Sequence, residues 1–441
     1  MRIAWCTPFG VKSAIGKVSQ AATGELANFC EVEIWCPDHT PLLLSNVKIN
    51  PIMSYRECAK QIRACDYVIY NMGDHLANHM DIFEILRRVP GIVILHDYIL
   101  QNFFRGYYLV KKDSMSKYLS KLEELYGEAG AKWGKNYNRL NSASDIPPDS
   151  LSFPFFEPCL DNAVGVVGHS RFSTEAFRRT AFCPILHIPL PHYDYSRLGP
   201  PKSNGSPARL KTEKNKIVIA SFGVINPNKR LHKVLECLGR IKKQLGDKIQ
   251  YLIIGPHDHN PAYMYKLESI VKHYGLEHMV QFKGYVSNAE LHESLSQAEI
   301  CVNLRYPAGE GGSASLAEAI YFGSAVIVSN TGCYIDIPDD CVVKIDPGKE
   351  EDQLPHALIG LVENRDWREK IRANAQRYLQ DNLSPRKYAE RILDFLPEVD
   401  LAAPSIATVR RVSEELRKMG VSPGHPAIQE ISAQLSRFLL P

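Results

Sequence analysis

Two glutamates eight positions apart, Glu310 and Glu318, enclose Gly311, Gly312 and Ser313. The glycines carry no Cβ, so main chain there can come close to a ligand, and the first N–H groups of a helix lack intrahelical acceptors. An anion, most naturally a phosphate, suits such a helix start. Carboxylates suit hydroxyls instead, so the pair points to a ligand with hydroxyl-bearing rings on both sides of a phosphate group. Lys229 and Arg230 point the same way: they stand at the start of a stretch whose Leu231, Val234, Leu235, Leu238, Ile241 and Leu245 share one helical face. A cation there opposes the helix dipole, and a bound diphosphate would remove the conflict. Arg305 lies in the loop just before Glu310. His96, followed by Asp97, closes the apolar run 91–95, where open α/β sheets form their ligand crevice. His75 and His79 follow another such run.

The elements that must carry these residues alternate. In the second half, residues 300–304 read as a strand, 305–312 as a Pro/Gly loop, 313–321 as a helix stopped at Gly323, and 325–329 as a strand. Strands are also expected at 216–223, 250–256, 280–284 and 341–345. In the first half, residues 2–6 form a strand that enters a loop with Gly10 and Gly16, followed by a helix through Asn28. Further strands are expected at 31–36, 66–70, 92–95, 164–167 and 184–189. This alternation implies parallel sheets covered on both faces, an α/β fold. No Gly-x-Gly-x-x-Gly follows the first strand, so the dinucleotide fingerprint is absent.

Residues 98–150 read as an insertion whose aromatics, Phe103, Phe104, Tyr107, Tyr108, Tyr118 and Trp133, are interleaved with lysines and Arg105. Such a mix can line a cleft or rest on anionic headgroups; a helical pair packing its aromatics inward is the favoured reading. Residues 198–215, rich in Pro, Gly, Ser and Lys, mark a linker. The resulting division is 1–200, then 201–385, then C-terminal helices over 386–441. The stretches 406–419 and 426–439 are amphipathic and pack either on the body or on a partner protein or second copy.

With 441 residues and 45% hydrophobic content the chain supports two or three cores, and its net charge of +3 lacks the clustered basic face of a nucleic-acid binder. Eleven cysteines without a Cys-x-x-Cys pair or a metal-spaced Cys/His cluster, and a start directly in strand-like sequence, lead us to expect a reduced cytoplasmic protein. Any membrane contact is expected to be peripheral, at the inner face.

The stretch 300–328 resembles the Glu-x7-Glu motif of the family 4 retaining glycosyltransferases. LeuHisAspTyr at 95–98 and AsnLeuArgTyrPro at 303–307 are similar to a branch found among bacterial surface-polysaccharide enzymes. The resemblance implies a GT-B fold, two Rossmann-like doubly wound domains facing a cleft, with extra C-terminal helices, the first crossing back to the N-terminal domain. It implies a nucleotide-diphosphate sugar as donor, a saccharide, lipid-linked or protein acceptor, no cofactor and no metal at the diphosphate. By that resemblance Glu310 faces the donor sugar, Glu318 the ribose, His96 the donor sugar and acceptor, and Lys229 the diphosphate. Gly16, Gly311, Gly312 and Ser313 line the donor. The family's usual arginine after the strand-end glycine is Val224 here, and Arg230 or Arg305 could replace it. That loss leaves a competing reading, a catalytically silent subunit that binds a nucleotide sugar or a partner enzyme.

Overall fold

The computed structural model describes the chain except at positions 12, 39, 43, 45, 112, 140–146, 194–215, 258–260, 422–424, 429, 432–433 and 435–441. The expected linker lies outside the described residues, as does most of the stretch 426–439. Two parallel sheets are present. The first joins β1 (Arg2–Cys6), β2 (Glu31–Cys36), β3 (Lys48–Pro51), β4 (Tyr67–Met72), β5 (Gly91–Leu95), β6 (Ala163–Gly168) and β7 (Ile185–His187) in the order β3-β2-β1-β4-β5-β6-β7. The second joins β8 (Ile217–Phe222), β9 (Ile249–Ile254), β10 (Val280–Gly284), β11 (Ile300–Asn303), β12 (Ala325–Ser329) and β13 (Val343–Ile345) in the order β10-β9-β8-β11-β12-β13.

Central strands such as β5, β11 and β12 are buried along their whole length, because helices cover both faces of a parallel sheet. Each sheet reverses its strand order once, between β1 and β4 and between β8 and β11. The loops after those strands open a crevice at the carboxyl edge. Lys229 and the 304–312 loop follow β8 and β11, and His96 follows β5, the strand next to β4.

Two expectations need correction, and one strand is additional. Gly16 lies not in the loop after β1 but in the first turn of the Ala14–Leu26 helix, where its N–H donates to the N-cap Ser13 Oγ at 3.0 Å. A Cβ there would come within 2.9 Å of the Pro8 carbonyl, so this glycine lets the loop lie flat on the helix. The edge strand β3, with only four residues and no fully buried side chain, was not expected at all. Of the C-terminal helices expected over 386–441, the first and the stretch 406–419 are not separate but parts of one helix, Pro385–Lys418. Pro397 and Pro404 both sit on its exposed side, where water can satisfy the carbonyls that a proline leaves unpaired.

That helix buries Tyr388, Ile392, Phe395, Leu396 and Val399 against the first domain, in one apolar cluster with Ile3, Trp5, Ile34, Ile94 and Val167. Ridge contact with the Ala14–Leu26 helix and with β6 holds the C-terminus on the N-terminal sheet. The insertion does turn its aromatics inward: Phe103, Phe104, Tyr107 and Tyr118 are buried, and Phe83 meets Phe103 and Phe104 edge to face at 5.5 and 5.2 Å. Among the described residues no helix is long and apolar enough to cross a membrane. All eleven cysteines are free thiols.

Candidate active site

The two domains meet main chain to main chain beside the site. Tyr98 and Ile99 donate their N–H groups to the Gly309 carbonyl at 2.7 and 3.1 Å, and Gly311 donates to the His96 carbonyl at 2.8 Å. Asp97 and Glu310 form an antiparallel bridge. The glycines of this loop therefore serve close packing between domains. A Cβ at Gly309 would lie 3.0 Å from Ile99 Cδ1, one at Gly311 2.9 Å from the His96 carbonyl oxygen, and one at Gly312 2.8 Å from Leu190 Cβ. The Gly311 N–H, expected to be open to an anion, is thus already taken. Those of Gly312, Ser313, Ala314 and Ser315 have no acceptor among the described residues and remain available at the start of the Ala314–Tyr321 helix.

Gly311→Val should pry the seam apart. Because the obstructing atoms are main chain, overpacking of about 1–3 kcal/mol is expected. Thermal unfolding would show a lower Tm, and an unchanged Tm would mean the seam is not held at this contact.

Glu310 is held on two sides. Tyr334 Oη donates to its Oε1 at 2.8 Å and Arg305 Nε lies 3.2 Å from the same oxygen. Tyr334, fully buried, also reaches Ser313 Oγ at 3.1 Å, and Asn303 Nδ2 lies 3.3 Å from that hydroxyl. Ser313 in turn caps the helix, accepting from the Leu316 N–H at 3.2 Å. This network ties the glutamate, the arginine and the helix start into one rigid unit. Tyr334 escaped the sequence reading; its only signal is an aromatic in the segment 331–336 after β12, at the carboxyl edge where the other site residues cluster.

Glu318 is buried inside the helix and accepts from His292 Nε2 at 3.2 Å. His292, from the Asn288–Gln297 helix, was also not expected. Lys229 is buried, its ammonium donating to the Phe222 carbonyl beneath Gly223, whose φ of +88° makes room for the turn. Burial, reinforced by the Arg305 charge, pushes the Lys229 pKa well below that of a free lysine. Of the two arginines offered as substitutes at Val224, the structure separates the roles. Arg305 shares the Lys229–Glu310 cluster, whereas Arg230, in the left-handed region at φ 56°, turns to Glu350 at 2.7 Å.

His96 is 7% exposed. Its Nε2 lies 2.9 Å from Asn71 Oδ1, and its ring packs 5.0 Å from that of His169. Burial, with the two neighbouring histidines, lowers its pKa well below the usual imidazole value, so the ring is neutral. Asp97 does not pair with it. The Asp97 carboxylate accepts from the Asp74 N–H at 2.8 Å, and burial together with the Glu310 charge raises its pKa to about 6. His79 is buried behind Asn71, donating from Nδ1 to the Asn71 carbonyl at 3.1 Å, which gives it a structural position. His75 is the N-cap of the Leu76–Leu86 helix.

Residues 204–378 match the model of the family described as glycosyl transferases group 1. No curated protein matches by sequence. Among solved structures, the chain is similar to Anabaena HepE, crystallised in complex with UDP and glucose: TM-score 0.59, 14% identity, covering 90% of this chain and 99% of that one. It is similar to sucrose-phosphate synthase from Thermosynechococcus elongatus, with TM-score 0.59, 14% identity, and 91% and 100% coverage. A glycosyltransferase from Rickettsia africae gives TM-score 0.59, 14% identity, and 90% and 98% coverage. At these identities the likeness is one of fold. The chain therefore has the two-domain GT-B fold that glycosyltransferases of known structure share, and within it residues 204–378 match the group 1 glycosyltransferase model.

Proposed function

We propose that the protein is a retaining glycosyltransferase that moves a sugar from a nucleotide-diphosphate sugar to a hydroxyl of a saccharide, lipid-linked or protein acceptor, with no metal at the diphosphate. The observation that carries this reading is the seam. One short antiparallel contact brings Glu310, Arg305 and Lys229 of the second domain up to His96 of the first. Cations, free helix-start N–H groups and a carboxylate are thereby grouped as a diphosphate next to a hydroxylated ring requires. The neighbours crystallised with UDP and glucose and with UDP-glucose support the donor class.

In this reading the bond from the sugar's anomeric carbon to the diphosphate oxygen breaks with its electron pair going to that oxygen, and the acceptor oxygen bonds the carbon from the face the nucleotide leaves, passing its proton to the departing diphosphate oxygen. Lys229, Arg305 and the N–H groups of Gly312 to Ser315 stabilise the departing diphosphate. Glu310 accepts from the donor sugar's hydroxyls, and Glu318 from the ribose. Proton NMR of the first-formed product from an α-configured donor tests it: an α-linked product is expected, and a β-linked one would refute retention.

Glu318→Ala should weaken bare nucleoside diphosphate by about 10- to 100-fold, since charge-assisted hydrogen bonds contribute roughly 1.5–3 kcal/mol. Calorimetric titration of both proteins checks this, and equal affinities would remove Glu318 from the ribose. The silent-subunit reading draws on Val224 and on the engagement of Arg230 by Glu350, which leave Lys229 and Arg305 as the cations of the cluster.

A further inference from the structure

Asn71, at the carboxyl end of β4, is 1% exposed and has two side-chain partners. Its Nδ2 lies 3.1 Å from the Cys6 carbonyl and its Oδ1 lies 2.9 Å from His96 Nε2. The two ends of an amide are not interchangeable here. A carbonyl oxygen only accepts, so the NH2 group must face Cys6; turned over, the side chain would set its own oxygen against that carbonyl in a buried site. The oxygen is left facing His96, and an amide oxygen also only accepts. His96 Nε2 must therefore carry a proton. Among the described residues nothing is bonded to the other ring nitrogen, Nδ1.

We propose that Asn71 is a positioning residue that locks His96 as the neutral Nε2–H tautomer, so that the group His96 offers to substrate is the Nδ1 lone pair, a hydrogen-bond acceptor for a hydroxyl. The main chain of Cys6 in β1 sets the amide, the amide sets the ring, and the ring stands beside the seam. These strands, β1, β4 and β5, are neighbours in the sheet, so the lock is built into its rigid centre. The other titratable groups around the ring do not compete for Nε2. His169, whose Nδ1 donates to the Ile188 carbonyl, touches the His96 ring, and His79 is committed to the Asn71 main chain. Asp97 is committed to the Asp74 N–H. The proposal rests on His96 taking part in transfer, and it is tested by a readout that does not depend on activity.

The experiment is nitrogen NMR of the full chain carrying ring-labelled histidine, with His96→Gln used only to identify the His96 signals. Between pH 6 and 8, wild type should show a protonated Nε2 and an unprotonated Nδ1. Asn71→Asp, its second oxygen protonated so that it donates to the Cys6 carbonyl as the Asn71 NH2 does, keeps an accepting oxygen facing Nε2 and should keep the Nε2–H. Asn71→Leu should give a mixture containing the Nδ1–H form, lower kcat by at least about tenfold, and leave KM for the donor within a factor of about two. A wild-type ring protonated on Nδ1 would overturn the lock, as would Asn71→Leu with an unaltered tautomer. If Asn71→Leu does not fold, the wild-type and Asn71→Asp spectra still decide. A tautomer that shifts while kcat stays constant would uphold the lock and refute instead the part assigned to His96.

Discussion

His96→Ala should lower transfer about 100-fold while affinity for a nucleotide-diphosphate sugar changes by a factor of only about three. The split follows from where the residue's contacts lie. Its main-chain carbonyl accepts the Gly311 N–H, and alanine keeps that carbonyl, so the domain seam survives the substitution. The cations and helix-start N–H groups that would hold the diphosphate belong to the second domain and are not touched. In the proposed reading what is lost is an imidazole beside the reacting sugar, and a contact made chiefly in the transition state reduces kcat and leaves ground-state binding nearly intact. Some stability goes as well, because the mutation empties a buried site and strands Asn71 Oδ1. Melting temperature, donor affinity and transfer rate must therefore be measured on one preparation. A destabilised protein with full activity per folded molecule would make His96 a structural residue.

Lys229→Met should weaken nucleoside diphosphate about 10- to 100-fold and the bare nucleoside by less than about twofold. Methionine keeps the apolar stem in its buried slot and removes the charge. Arg305→Ala should show the same discrimination, and Arg230→Ala much less of it, because Arg230 is already paired with Glu350. Binding should also depend on pH, with a definite sign. In the free protein, burial and the Arg305 charge push the Lys229 pKa down, and a bound diphosphate would raise it again. Binding then takes up a proton, and affinity falls as pH rises through the Lys229 pKa of the free protein. That component should vanish in Lys229→Met. Equal losses for diphosphate and nucleoside would show that Lys229 supports the fold of the pocket and does not hold phosphate.

The parts of this site that are legible in sequence are those with a local cause. Apolar runs ending in polar residues mark β5 and β11, so the order of residues along the chain is enough to place His96, Arg305 and Glu310 at carboxyl edges. Lys229 is visible through its conflict with a helix start. What stays hidden is pairing over long separations. Nothing near Gly311 announces that its N–H belongs to His96, 215 positions earlier. The glycine pair, read as room for a ligand, is in large part room for the other domain. Arg230 likewise looks free because Glu350 is 120 residues away. Tyr334 and His292, which hold the two glutamates, carry no local pattern beyond a position near a strand end or on a helix. At the C-terminus local rules mislead: Pro397 and Pro404 suggest a break, yet the packing of Phe395, Leu396, Val399 and Ile406 keeps one helix continuous through both.

The most direct test of the account is release of nucleoside diphosphate from a panel of nucleotide-diphosphate sugars with no acceptor present, water taking the acceptor's place. Wild type should turn over at least one donor slowly but measurably, Glu310→Gln and His96→Ala should bind that donor and release far less, and Lys229→Met should bind it poorly. A wild-type protein that binds a nucleotide sugar tightly and never cleaves it, with or without candidate acceptors, would contradict the account and identify a binding subunit on a glycosyltransferase fold.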